Sequence, residues 1–550
     1  MKTENYLPIV NALEVLMKRA LDLKIKKEDP YGLMKTIKLS GIRIAYLKDD
    51  DYLLQYLNAV PGRVEVYKHA PEMLITLFFK GKEKFVNYSF SMKNSFLSTY
   101  EGILTSGWPK LASSISKVLD KFYKCKRKDN KKYLEYQVKT PPYMGDEAFE
   151  LPELDKIPKD FDIKFQGILK DYYMTGCMVQ LDAIIKSSRK VWIVLDSNGT
   201  RIIQKQDIVG LSVSPRVIDE KKRDYDETFS RMARSFDELE KEFPAIKSEM
   251  QEFLYSINRK QLESGIYPLI FDYSAVATLF HEAIAGHMLS ALYIVNEISA
   301  IFKGKLGKSV ASIMPILKKL EIWDNPLDSS MVANYKYDME GVPAKDVLLI
   351  DRGVVKNFLN DRYSAARMKK EGNGHALAED FQKENQIDTL VIMKSCLPEP
   401  RVSNLKVLSD SEITFKQLEE KFFEEFGYYF HVKSYAGQVD VNTGTFELYV
   451  ESLVKVYPDD TKEYFHGGTF SANLTDFIGA IQEVSNEYGF SYGYCGAGSG
   501  MVPTHGYTPA MSVYGINWAP DALPQKLEEY DINRDKYIPQ EWVQNEKYEF

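Results

Sequence analysis

The residues with the clearest chemical potential are two histidines that flank a glutamate in an apolar segment. His281 and Glu282 are adjacent, and His287 follows six positions after His281. Neutral imidazoles are common zinc ligands, and a neighbouring carboxylate can take a proton from metal-bound water. The three residue types together are therefore typical of a hydrolytic metal site.

The spacing of the two histidines sets a condition on the helix that carries them. Histidines four positions apart differ by about 40° around an α-helix, whereas six positions leave them about 120° apart. Both can face one metal ion only if the helix bulges or ends between them, and Gly286 is a plausible place for that break. The alternative is a core helix on which the two histidines point in different directions.

A glycine-rich loop carries the second candidate, Cys495. Glycines at positions 493, 496, 498 and 500 surround this cysteine, and they allow the backbone to approach another group closely. As a thiolate, Cys495 could be a nucleophile with His505 as its base, or a metal ligand together with His281 and His287. An inert thiol is the third interpretation, and the loop alone leaves all three open.

Two carboxylates lie in another segment with a strand, turn, strand pattern. Asp440 and Glu447 flank the turn that contains Gly444. They are candidates for catalytic acids, but the pattern favours polar groups that cap a β-hairpin.

The composition limits the class of protein. The chain has 550 residues, 44% of them apolar, and a formal net charge of −7. It is long enough for at least two cores, and it lacks the basic excess of a nucleic-acid-binding protein. Its few, dispersed cysteines predict free thiols in a reducing compartment, which we take to be the cytoplasm. The cysteines are Cys125, Cys177, Cys396 and Cys495.

The patterns along the chain predict an α+β fold with two domains. Residues 1–245 alternate between helical and strand patterns, which indicates an α/β-type mixed scaffold domain. Residues 246–550 are predicted to form a β-rich domain that carries the metal-site helix. The apolar segment 274–295 is long enough to suggest a membrane span, but the polar triplet in its middle favours a buried helix.

Several motifs in the second half occur in the order found in the TldD/PmbA family of metallopeptidases, which the chain resembles over about residues 274–518. Each motif is weak by itself, and their order carries the resemblance. They are the His281-Glu282 helix, Glu340-Gly-Val-Pro343, the strand and turn at 347–355, Gly372-Asn-Gly374, the segment 437–444 and the Cys495 loop.

The resemblance implies a TldD-like, zinc-dependent peptidase that acts on unfolded or partly degraded peptides. It implies that His281, His287 and Cys495 bind Zn²⁺ and that Glu282 is the general base. It also implies a peptide bound as an added strand in an enclosed cavity. The expected assembly is a homodimer or a heterodimer with a TldE/PmbA-like paralogue, with no nucleic-acid or membrane partner.

The sequence departs from the family pattern at the metal motif. The family has five positions from the first histidine to the second, and this chain has six. The acidic residue usual a few positions further on is absent, since Met288 and Leu289 follow His287. The alternative prediction is therefore a non-catalytic PmbA/TldE-like subunit that binds peptide or a TldD-like partner without metal.

Overall fold

The computed structural model describes residues 3–28, 34–37, 39–80, 85–124, 150–152, 156–173, 178–218, 224–257, 259–299, 301–381 and 397–521. Within these residues two large sheets dominate, one in each half of the chain.

An eight-stranded sheet organises the N-terminal half, and all of its strand pairs are antiparallel. Its strands are β4 (Gly41–Leu57), β5 (Val60–Lys68), β6 (Glu72–Lys80), β7 (Phe85–Lys93), β9 (Gln180–Asp196), β10 (Arg201–Ile218), β11 (Asp224–Asp226) and β12 (Phe229–Ala233). Two short ribbons accompany it, β1 (Thr3–Asn5) with β8 (Glu150–Pro152) and β2 (Ile25–Glu28) with β3 (Met34–Ile37).

Helices cover one face of this sheet. They are α1 (Leu7–Asp22), α2 (Tyr100–Gly102), α3 (Trp108–Lys124), α4 (Lys159–Tyr173), α5 (Phe236–Glu240) and α6 (Phe243–Tyr255). A 3₁₀ turn at Ser95–Ser98 and a π turn at Ile103–Gly107 lie between strands and helices. In α1, Ile9, Leu13 and Leu16 recur at helical spacing and are buried against the sheet, which gives the helix one apolar face.

The C-terminal half contains a thirteen-stranded mixed sheet, in which β14 with β21 and β20 with β26 are the parallel pairs. Its strands are β13 (Gly265–Ile266), β14 (Leu269–Phe271), β15 (Leu320–Asp324), β16 (Val347–Asp351), β17 (Val354–Val355), β20 (Asn404–Ser409), β21 (Tyr429–Val432), β22 (Ala436–Val439), β23 (Thr445–Val456), β24 (Lys462–Asn473), β25 (Ile481–Ala497), β26 (Gly500–Val513) and β27 (Asn517–Pro520). A separate ribbon pairs β18 (Ala376–Leu377) with β19 (Glu399–Pro400).

The helices of this half are short. They are α7 (Tyr273–Phe280), α8 (Ala291–Val295), α9 (Arg362–Met368), α10 (Phe415–Phe426) and α11 (Leu474–Gly479), with a π-helical segment at His281–Gly286 and a 3₁₀ turn at Pro315–Lys319. Asp272 caps the N-terminus of α7, and its carboxylate accepts from the backbone N–H groups of Ser274 and Ala275. Its apolar residues, among them Val276 and Phe280, are fully buried in the largest core.

The second face of the N-terminal sheet packs against the C-terminal half. Leu47 and Trp192 lie in one buried cluster with Tyr335, Cys495 and Val502. The indole N–H of Trp192 donates to the carbonyl of residue 337 at 3.1 Å. The N-terminal sheet is therefore a rear wall behind the hairpin that carries Cys495.

The prediction of an α+β fold is confirmed, because both halves combine helices with sheets. The division after residue 245 stays a prediction. Helix α6, which begins at Phe243, buries Ile246, Met250 and Phe253 in the same core as β9 and β10. Among the described residues, no helix combines the length and the apolar character needed to cross a membrane.

Candidate metal centre

The helix that carries the histidines widens into a π turn. α7 ends at Phe280, and the π-helical segment His281–Gly286 follows it directly. A π turn is closed by hydrogen bonds between residues five apart, and the N–H of Leu289 donates to the carbonyl of Ile284 at 2.9 Å. The distortion that the six-residue spacing requires is present between the two histidines.

Gly286 lies where the turn closes over the first histidine. A Cβ atom at this position would lie 2.8 Å from the carbonyl oxygen of His281 and 3.3 Å from its Nε2. A side chain would therefore collide with backbone, and the imidazole would have to move. The glycine expected to break the helix is the last residue of the π segment.

The π turn brings Glu282 and His287 together. Nε2 of His287 lies 2.9 Å from Oε2 of Glu282, although five positions separate the two residues in the chain. Both side chains are mostly buried, with 12% and 18% of their surfaces exposed. The glutamate is thus placed beside the histidine that is the second candidate ligand.

Cys495 reaches the same place from the other end of the domain. It lies on β25, opposite Val502 of β26. The ligand atoms of His281, Glu282 and Cys495 all lie within 4.8 Å of one another, and His287 interacts with both Glu282 and Cys495. The four predicted site residues therefore form one cluster from two distant segments.

The charges of this cluster depend on one another. Burial acts to raise the pKa of Cys495, but His281, His287 and the Arg401 guanidinium outweigh it and hold the pKa well below its usual value. Burial acts to lower the pKa of His287, yet hydrogen bonding to Cys495 and Glu282 raises it to about 10. The pKa of His281 is raised against its burial by the Cys495 thiolate and by Glu282.

Glu282 completes the pattern. Burial raises its pKa, and the hydrogen bond from His287 together with the charge of His281 lowers it below the ordinary value. In the metal-free chain a thiolate and a carboxylate thus face two protonated histidines, and a metal ion that bound here would displace the histidine protons.

The residues present fit a metal ion that prefers nitrogen and sulfur donors. Nε2 of His281 is buried without a hydrogen-bond partner of normal geometry among the described residues, and the Cys495 thiol is the strongest charged neighbour of this side chain. Thiolate and imidazole are donors of the type that zinc and related metals select, whereas calcium and magnesium prefer oxygen. His281, His287 and Cys495 would supply three protein ligands.

The glycine-rich turn that follows Cys495 packs against two glutamate side chains, Glu399 and Glu379. A Cβ atom on Gly498 would lie 2.7 Å from Oε1 of Glu399, and one on Gly500 would lie 2.5 Å from Oε2 of Glu379. The Glu379 carboxylate also accepts from the N–H of Met501 at 2.9 Å. The glycines allow two glutamates to approach the turn.

Arg401 was not among the sequence candidates, and it touches the cysteine segment directly. Its Nη1 donates to Oγ of Ser499 at 2.9 Å and to the carbonyl of Gly500 at 2.7 Å, and its Nη2 donates to the carbonyl of Cys495. Only 2% of the residue is exposed. An isolated arginine after Pro400 gives no sequence signal, because its burial depends on the fold.

His505 is not brought to Cys495. It pairs with Tyr492 in the hairpin and lies three positions along β26 from Val502, the residue that pairs with Cys495. Because side chains alternate along a strand, His505 and Cys495 project from opposite faces of the hairpin. Nδ1 of His505 accepts from the N–H of Val332 at 3.0 Å. Burial lowers its pKa to about 4, with Arg234 adding to this effect. The geometry needed for a Cys495 and His505 nucleophilic pair is absent.

Asp440 and Glu447 stabilise a hairpin, as the pattern favoured. Asp440 is exposed, and its Oδ1 accepts from the N–H of Asn442 at 2.9 Å. Glu447 accepts from Gln438 and Tyr449 on the surface of β22 and β23. Neither carboxylate belongs to the cluster. The other three cysteines, Cys125, Cys177 and Cys396, lie outside the described residues.

A cavity of about 420 Å³ opens onto the cluster. His281, Glu282, His287 and His505 line it, β22 forms one wall, and residues 491–494 and 496 of β25 form another. Among the described strands, β22 pairs only with β23, and β25 pairs only with β26. Two strand edges without a strand partner therefore border the candidate metal site.

Comparison with known proteins gives a family for the C-terminal half. Residues 264–519 match the model of the PmbA/TldA metallopeptidase C-terminal domain. The chain is 26% identical over 247 residues to a metalloprotease of Methanocaldococcus jannaschii, covering 45% of this chain and 49% of that protein. It is 28% identical over 233 residues to the zinc metalloprotease TldD homolog of Saccharolobus solfataricus, covering 42% and 47%. The chain thus spans about half the length of these relatives.

The fold likeness extends over the N-terminal half as well. The crystal structure of TldE from Thermococcus kodakarensis superposes on this chain with a TM-score of 0.63 at 14% sequence identity. The superposition covers 92% of this chain and 100% of the TldE chain. At this identity the likeness establishes the fold of the chain and nothing more.

Proposed function

The chain belongs to the PmbA/TldD family, and on that premise we propose that it is a zinc-dependent, TldD-like peptidase. The observation that carries the proposal is the convergence of His281, Cys495 and His287 beside Glu282. His281, His287 and Cys495 would hold the ion. When bound, zinc would polarise a scissile carbonyl and lower the pKa of its water to about 7.

Glu282 is the group of this chain that would move the proton. It lines the cavity next to the three ligands, so it can accept a proton from water and return it to the departing amine. In the metal-free chain its hydrogen bond to Nε2 of His287 holds the carboxylate beside the proposed ligands. That position is part of what a general base needs, because proton transfer depends on hydrogen-bond distance.

The two strand edges beside the cavity support a peptide as the substrate. An extended chain between β22 and β25 could hydrogen-bond to either edge through its backbone. Such binding depends little on the substrate's side chains. It also selects against folded proteins, whose backbone groups are already paired. This supports unfolded or partly degraded peptides as the substrate class.

The alternative of a metal-free, PmbA/TldE-like subunit rests on the extra residue before His287. The π turn accounts for that residue and keeps His287 beside Glu282. This observation favours the metal-binding proposal. We further propose a dimer, with a second copy or with a TldE-like paralogue, and a location in the cytoplasm, where the Cys495 thiol would stay reduced.

The decisive experiment measures bound metal and peptide cleavage in the same preparation. We expect about one zinc per chain, and cleavage of an unfolded peptide that a chelator abolishes and added zinc restores. Cys495→Ser should lose the metal, because a hydroxyl is a much poorer zinc ligand than a thiolate.

The matched control is Cys396→Ser, the same change at a cysteine that the proposal does not use. It should keep both metal and activity. A folded wild-type chain that binds no zinc and cleaves no peptide would refute the proposal. Stoichiometric zinc that survives Cys495→Ser would refute the ligand assignment.

A further inference from the structure

We infer that Arg401 is a positioning residue for the metal centre, which fixes the β25–β26 turn so that the thiol of Cys495 faces His281. The inference rests on the proposed metal site. It assigns a task to a side chain that neither the sequence motifs nor the family comparison single out.

Arg401 binds both ends of the turn with one guanidinium group. Its Nη2 holds the carbonyl of Cys495 near the end of β25, and its Nη1 holds Ser499 and the carbonyl of Gly500 at the start of β26. The two nitrogens belong to one rigid plane. One planar group therefore bridges the two sides of the turn, in addition to the backbone pairing of β25 with β26.

The backbone of Arg401 is itself anchored. Its N–H donates to the carbonyl of His375 at 2.9 Å, directly after β19. His375 is fully buried, and its Nε2 lies 3.1 Å from Oδ2 of the equally buried Asp324. The Asp324 carboxylate also accepts from the N–H of Ser403. The backbone that carries Arg401 is thus anchored in a buried polar network, and His375, Asp324 and Ser403 are not among the residues that line the cavity.

The opposite side of the turn is closed by glutamates. The N–H of Glu379 donates to the carbonyl of Ser499 at 2.8 Å, and its carboxylate accepts from Met501. Gly498 leaves room for Glu399. The turn is therefore fixed from two directions, and Arg401 is the only one of these groups that contacts Cys495 itself within the described residues.

Burial of a guanidinium is costly unless its donors are used. The guanidinium of Arg401 donates its hydrogen bonds to the segment that carries Cys495. Cys495 is the candidate ligand that comes from a segment distant from the π turn. A residue that orients a metal ligand typically changes metal affinity by about 10–100-fold when it is replaced. This is the expected size of the effect here.

The test compares Arg401→Lys and Arg401→Met with wild type in a metal titration. Zinc affinity is measured by competition with a chromogenic chelator, and cobalt is used as a spectroscopic probe of thiolate ligation. We expect a loss of zinc affinity of about 10–100-fold in both variants. The cobalt–thiolate absorption should be weakened or shifted. Lysine keeps the charge but cannot span the turn, so it should not rescue.

Arg259 provides the matched control. It is also buried, and its guanidinium donates to Glu227 and Ser256, away from the cluster. Arg259→Lys should lower the stability of the fold, and it should leave zinc affinity and the cobalt spectrum at their wild-type values. Thermal unfolding of every variant separates a failure to fold from a change at the site; if Arg401→Met does not fold, Arg401→Lys carries the test.

The outcomes distinguish this inference from the proposed function. Wild-type zinc affinity and an unchanged cobalt–thiolate band in a folded Arg401→Lys variant would overturn the inference, while the metal site would stand. If the wild-type chain shows no cobalt–thiolate band that depends on Cys495, the proposed site fails and the inference fails with it. A loss of affinity equal in the Arg259 and Arg401 variants would also overturn a specific role for Arg401.

Discussion

The two faces of the β25–β26 hairpin treat buried histidines in opposite ways. On one face, Cys495 looks toward the π turn with His281 and His287. On the other, His505 stacks on Tyr492, with ring centroids 4.6 Å apart, and accepts a backbone N–H. The pKa of His287 is raised to about 10, and that of His505 is lowered to about 4.

The difference comes from the partners. Burial acts to lower the pKa of both imidazoles. His287 has a carboxylate and a thiolate beside it, which more than offset the burial. His505 lies against aromatic rings and a backbone amide, and the opposing charges of Asp328 and Arg234 do not offset its burial. Only the face that places a thiolate and a carboxylate directly beside its histidines has the donors of a candidate metal centre.

The largest expected effect is a loss of peptide cleavage when a residue beside the Cys495 face, and not one on the His505 face, is replaced. Glu282→Gln should lower kcat for peptide cleavage by about 10²–10⁴-fold, because the amide cannot accept the proton. Zinc content should stay at the wild-type level, since Glu282 is not one of the three proposed ligands. Steady-state kinetics with metal analysis on the same sample checks both parts.

The comparison on the other face is His505→Asn. The amide oxygen can replace Nδ1 as acceptor for the N–H of Val332, so folding should survive and kcat should change by only a few-fold, roughly 1 kcal/mol or less. If the two variants lose activity equally, the distinction between the faces is wrong. If Glu282→Gln retains wild-type turnover, another group is the base.

A second prediction uses the pH dependence of stability. The pKa of His505 is about 4 in the folded chain against 6.5 for an ordinary histidine. As the pH falls, the unfolded chain binds this proton first, so the stability that His505 contributes above pH 6.5 is lost between pH 6.5 and 4. At about 1.4 kcal/mol for each pKa unit, the loss is on the order of 3 kcal/mol.

Urea unfolding at a series of pH values between 7 and 4.5 measures this loss. His505→Asn should lose less of its unfolding free energy than wild type over that range, because asparagine does not titrate. Asp328 and Arg234, the charged groups that act on His505, are the same in both chains. Parallel pH profiles for the two proteins would contradict the prediction.

Much of the candidate metal face could be predicted from the sequence. The polar triplet at 281–287 and the glycine loop around Cys495 are visible as residue types, and spacing alone required a distorted helix with Gly286 as its break. The α+β class and the hairpins at β16–β17 and β22–β23 follow from alternation and turn residues. These are local properties, which short stretches of chain encode.

The remaining features depend on contacts between distant segments. Arg401 lies more than ninety positions before Cys495 in the chain, and nothing near it in sequence marks it as buried. The same holds for Trp192 behind the hairpin and for the burial of His505. The nucleophile interpretation stayed open in the sequence because strand register, which sends Cys495 and His505 to opposite faces, cannot be read from composition.

The smallest of the expected effects tests the π turn itself. Gly286→Ala places a Cβ atom 2.8 Å from the carbonyl oxygen of His281, and the clash should lower the free energy of unfolding by about 1–3 kcal/mol. Because the added methyl group also lies 3.3 Å from Nε2 of His281, zinc affinity should fall along with stability. Chemical denaturation and chelator competition measure the two quantities.

Gly479→Ala is the matched control, at the end of α11, where a Cβ atom would meet no other atom within 4 Å. Alanine there should be neutral or stabilising by about 0.4–1 kcal/mol, since it restricts the unfolded chain without a clash. If Gly286→Ala behaves like this control, the turn has room for a side chain, and the close packing of Gly286 over His281 does not stabilise the candidate metal face. If stability and zinc affinity fall only in Gly286→Ala, the π turn that accommodates the extra residue of the motif is needed for the geometry of the site.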